Sequence, residues 1–136
     1  MTRSRRTHSD TGSFSLEFAV GFAVIVLAIL LVAVAYQVRA TSAAVTAAAR
    51  QAARAASLTA SPDQARAAAS QRVRDRLASG PCQTGTVDVT TDTADFHAGG
   101  IVAVTVACQT QRLLGPSRRI VGHADEVIDR YRGGLP

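Results

Sequence analysis

Nineteen consecutive residues, Phe18 to Tyr36, carry no charge and no strong hydrogen-bonding side chain, and a glutamate, Glu17, stands immediately before them. As a helix rising about 1.5 Å per residue, the run covers roughly 28 Å, close to the hydrocarbon thickness of a bilayer. A membrane-crossing helix is therefore the first expectation. The acid constrains the chain as much as the span does. An ionisable group at the end of a membrane helix is costly unless it snorkels to the interface or finds a partner, which makes Glu17 a candidate functional residue.

What remains for a folded unit is modest. Hydrophobic residues make up 47% of the 136, but many are alanine or belong to the span; aromatics are 4% and tryptophan is absent. A core that thin needs further support. The net charge is +5 and every basic side chain is arginine. Arg3, Arg5 and Arg6 precede the span against Asp10, while Arg39 and Arg50 follow it, and this margin places the N-terminus in the cytoplasm and everything after Tyr36 outside. A basic flank beside a membrane helix explains the high isoelectric point without nucleic acid. Arg66, Arg72, Arg74 and Arg76 read as a solvated helix face, and the aromatic side chains that stack single-stranded bases are missing beside them.

The organisation follows from changes of pattern. Residues 1–12 form a basic, polar leader. Residues 13–60 read as the membrane helix (18–36) and an extension in which alanine dominates and Gly and Pro are absent from Gln37 to Ala60. Ala40, Ala44, Ala48, Ala52 and Ala56 recur at every fourth position and would form a smooth ridge, either a face along which another helix can pack closely or simply the surface of a solvated, alanine-rich helix. Ser61-Pro62-Asp63-Gln64 restarts a helix, with Ser61 as cap, Pro62 in the first turn and Gln64 completing a capping box. This second helix, within 61–80, should stop before Gly80-Pro81, with Ala65, Ala69, Val73 and Leu77 as its weak apolar face.

From residue 81 to 132 the period becomes two. Val87 and Val89 alternate with Asp88 and Thr90, Ile101 to Cys108 is the strongest strand, and Ile120 to Asp129 is a third, leaving 133–136 as a tail. Folding the first two strands about Phe96 sets Val87 opposite Thr105 and brings Cys82 level with Cys108. A disulfide there would suit an oxidising compartment and stabilise by about 3–4 kcal/mol; two unrelated buried thiols are the alternative. The expected fold is α+β: a long N-terminal helix, a second short helix and a small antiparallel sheet of three strands.

Gly12-Ser13-Phe14-Ser15-Leu16-Glu17 ahead of the apolar run resembles the processing site of type IV prepilins, a basic leader ending in glycine and a helix with glutamate at the fifth mature position. The stretch Glu17-Phe18-Ala19, with Ala48-Ala49-Arg50-Gln51-Ala52-Ala53-Arg54 beyond the span, is similar to the TadE/TadG-like pseudopilins of tight-adherence (Flp) pili. The likeness covers roughly the first 56 residues, although the proline often found early in such helices is absent here. It implies a prepilin peptidase cutting between Gly12 and Ser13, and Glu17 compensating the new terminal ammonium of a neighbouring subunit. The implied partners are the membrane, other pilins or pseudopilins and the Tad secretion machinery.

Three other readings compete. Ala33-Val34-Ala35 would serve as a signal-peptidase site and release a secreted domain starting at Tyr36. Alternatively, the helix merely tethers a binding module. His97 with Asp95 and Asp92 offers a conceivable metal set, more simply an ordinary polar turn. No Ser-His-Asp arrangement, HExxH or phosphate loop is legible, so neither catalysis nor a cofactor is expected.

Overall fold

The computed structural model describes residues 11–111 and 116–131, with side chains from residue 15 onward. Five elements follow in order: α1 (Thr11–Ser57), α2 (Pro62–Leu77), β1 (Asp88–Asp92), β2 (Ile101–Gln109) and β3 (Arg119–Val127). The class is α+β, and the three strands form one antiparallel sheet in the order β1-β2-β3. The chain divides into two compact units, one up to Ala35 and the other from Tyr36, and α1 contributes to both.

In the first unit α1 is apolar on every side. No large apolar side chain from Leu16 to Val32 is less than 38% exposed. Phe18 and Phe22, one turn apart, stack with ring centroids 6.4 Å apart. The helix begins earlier than expected, since Thr11 and Gly12, assigned to the leader, already lie in it; the rest of the leader falls outside the described residues.

In the second unit the same helix becomes one-sided. Thr41, Val45, Ala48, Ala49, Ala52, Ala53, Ala56 and Ser57 are buried, the three- and four-residue spacing of a single helical stripe. Thr41 satisfies its buried hydroxyl by donating to the Gln37 carbonyl at 2.9 Å. The helix stops at Ser57, short of Ala60, because both the amide and the hydroxyl of Thr59 turn back to the Ala56 carbonyl, at 3.1 and 2.8 Å. α2 then starts as its local sequence dictates. The Ser61 hydroxyl accepts from the Gln64 amide, although the Gln64 side chain reaches the Ala60 amide rather than that of the cap itself. Ala65, Ala69, Val73 and Leu77 form its buried face, as their spacing predicts, and the helix ends at Leu77, before Gly80-Pro81.

These helical stripes share one core with the inward face of the sheet, chiefly Val102, Val104, Val106, Cys108 and Ala124, and with Ile128 just beyond β3. Phe96 joins that core at 8% exposure, although its segment reads as a turn in sequence. The β1–β2 register also departs from expectation. Val89 faces Val106 and Thr90 faces Thr105, so Val87 stands three positions away from the predicted Thr105 partner. Folding about Phe96 holds only for the outlying Cys82–Thr110 bridge. Between bridge and ladder the chain makes a turn, with the Thr86 amide donating to the Gln83 carbonyl at 3.2 Å and Gly85 at φ 78°, and this turn absorbs the difference.

Candidate functional site: an apolar helix with an acidic entrance

α1 is long and apolar enough to cross a membrane, with a mean hydropathy of 3.1 in its most apolar window and none of that window buried. A helix that is hydrophobic all round needs an apolar surround, supplied either by a core or by lipid. Glu17 lies at the N-terminal end of this stretch. Its side chain is exposed and makes no ion pair among the described residues. Gly12 and Ser13 occupy the first turn of the helix, and Ser13 is one turn before Glu17. The structure thus sets the predicted cleavage bond and the acid on one continuous helix.

The alanine ridge divides. Ala48, Ala52 and Ala56 are fully buried in the chain's own core, Ala44 packs against that core, and Ala40 is exposed. The close approach that small side chains permit is therefore spent inside the subunit, against α2 and the sheet. Most of this ridge is not available to a neighbouring helix.

Cys82 and Cys108 are joined in a disulfide, with Cα atoms 5.8 Å apart. The bridge ties the segment after α2 to the C-terminal end of β2, beside the Cys82–Thr110 pairing. Arg66, read as part of a solvated face, instead links elements: it donates to Asp63 at 2.8 Å and to the Thr93 hydroxyl at 2.6 Å, holding α2 to the end of β1. Arg54 pairs with Glu126 at 2.6 Å, joining α1 to β3. With Arg54 67% exposed, that pair contributes at most about 1 kcal/mol.

His97 and its neighbours form a loop clasp rather than a three-residue ligand set. The His97 Nε2 lies 2.7 Å from Asp95 Oδ1, and Nδ1 lies 3.2 Å from the Ala98 carbonyl. Asp92 is engaged elsewhere, accepting from the Ala94 amide at 2.9 Å. Because both partners of the ring are acceptors, the imidazolium suits the geometry best. The Ala98 carbonyl, followed by Asp95, raises the His97 pKa above 6.5. A raised folded value means that the stabilisation is complete below the ordinary pKa and fades as pH rises through the folded one. An NMR titration of the ring should show a midpoint above 6.5 that falls toward it in Asp95→Asn. A midpoint unmoved by that substitution would remove Asp95 as a contributor.

Several shallow grooves open on the second unit, among them one of about 470 Å³ lined by Arg54, Ser57, Leu58, Val127 and Asp129, and two of about 350 and 390 Å³. Of the last two, the smaller is lined by Arg50, Gln51, Arg54, Ala55, Leu58 and Arg72, and the larger mainly by Arg74, Leu77 and the 82–87 turn. The linings of these last two contain no carboxylate or imidazole. Among the described residues no three His, Cys, Asp or Glu side chains cluster as a metal site. No family model, curated protein or solved structure matches this chain.

Proposed function

We propose that this chain is a TadE-like minor pilin or pseudopilin, a non-catalytic structural or assembly component of a tight-adherence pilus. In this reading the N-terminus lies in the cytoplasm, α1 crosses the cell membrane, and the disulfide-bonded unit faces outward. A prepilin peptidase removes the leader after Gly12, and the subunit then meets other pilins and the Tad secretion machinery. No cofactor or nucleic acid takes part. The observation that supports this reading most is Glu17, an acid without an ion-pair partner among the described residues, at the head of an exposed apolar helix and five residues beyond Gly12. In an apolar bundle such a carboxylate is tolerated when an opposite charge reaches it, and the new Ser13 ammonium of a neighbour would supply one.

The mass of the natural product tests this directly. A chain beginning at Ser13 is expected, and Gly12→Ala should leave the leader attached and impair piliation. Glu17→Ala should preserve cleavage but prevent assembly. An uncut chain would favour the tether, with the sheet unit binding a surface ligand. The boundary between the two units falls at Ala35, where Ala33-Val34-Ala35 would direct signal-peptidase cleavage, so a product beginning at Tyr36 would favour the secreted form.

A further inference from the structure

β3 is an edge of the sheet, pairing only with β2 among the described residues. The Ile128 amide donates to Gly100 and the Thr110 amide donates to Arg118, which fixes the phase of the ladder. Alternation then directs the backbone groups of Ile120, Gly122, Ala124 and Glu126 to β2, and those of Arg119, Val121, His123, Asp125 and Val127 to the free edge. All five of these outward residues are exposed. A nine-residue edge whose outward amides and carbonyls have no partner among the described residues is a template for another strand.

The order of side chains along this edge selects the strand. About Ala124 the sequence Arg119-Ile-Val-Gly-His-Ala-Asp-Glu-Val-Ile-Asp129 is complementary to its own reverse. If a second copy lies antiparallel with Ala124 opposite Ala124, Val121 meets Val127 and His123 meets Asp125. Two residues further on, Arg119 meets Asp129, which lies two residues past the end of β3. Charges within an edge strand ordinarily discourage pairing. Here Arg119 falls opposite Asp129, and Asp125 falls opposite the His123 imidazole, so the same residues favour one register.

We propose that β3 pairs with β3 of a second copy about a twofold axis through Ala124, making one continuous six-stranded sheet. The contact is isologous and closes as a dimer. It is independent of the pilin reading, because it concerns only the disulfide-bonded unit.

The experiment is a protein-mass measurement by light scattering on the full-length chain in detergent, over a concentration series. The wild type should run as two copies. Val121→Pro removes an amide that points to the free edge and leaves the β2 ladder whole, so it should give one copy while the Cys82–Cys108 bridge still forms. Arg119→Asp and Asp129→Arg should each loosen the dimer about tenfold, and the two together should restore it. A wild type that stays single at every concentration would overturn the proposal, including the case in which β3 accepts a strand from a different protein. Dimers that survive Val121→Pro with undiminished affinity would also overturn it, assigning association to the apolar helix instead.

Discussion

Replacing Cys82 and Cys108 by alanine, or reducing the bridge, should lower the unfolding midpoint of the second unit by about 12–30 °C. The bond closes a loop with a sequence separation of 26, for which the chain-entropy relation predicts about 3–4 kcal/mol. In a unit of roughly 100 residues, each kcal/mol corresponds to about 4–8 °C. The loss should be large relative to the whole because the core is built mainly from alanine and valine, which bury little apolar area each. Thermal unfolding of the full chain in detergent, with and without reductant, measures it. A shift of only a few degrees would show that the helix–sheet packing holds the 82–110 segment without the bridge.

The second large effect is expected at Gly122, in the middle of β3. A β-carbon built there would lie 2.9 Å from the Thr46 amide nitrogen and 3.0 Å from the Thr46 Cα and the Val45 carbonyl carbon. α1 and β3 therefore touch backbone to backbone, a closeness that only a residue without a side chain permits. Gly122→Ala should cost about 1–3 kcal/mol and Gly122→Val at least as much, even though valine is the better strand former. Truncating Thr46 should not rescue either variant, because the obstructing atoms belong to the main chain. Recovery in a Gly122→Ala, Thr46→Gly double variant would refute this account of the contact.

Elements whose pattern is set by near neighbours were legible from sequence. The capping residues Ser61 and Pro62 and the four-residue spacing of Ala65, Ala69, Val73 and Leu77 place α2 and its buried face. Strict alternation from Ile101 to Cys108 defines β2 and its inward side. Phe96 and Gly122 were hidden for a common reason. A lone aromatic in a turn-rich segment and a lone glycine in a strand have no periodic partners, and their roles depend on α1 and the sheet meeting from far along the chain. The three-position register error has a similar origin, since the Gln83–Thr86 turn lengthens one strand's path without breaking its alternation.

An unbroken apolar helix, an acid at its head, a second capped helix and three alternating strands are all consequences of local composition and period, and the chain states them residue by residue. Which side of the alanine ridge is buried, what Gly122 touches and which edge of the sheet stays open were decided by packing. Periodicity reports that a helix or strand has an apolar face. The partner of that face depends on how distant segments fill space together, and no single segment encodes it.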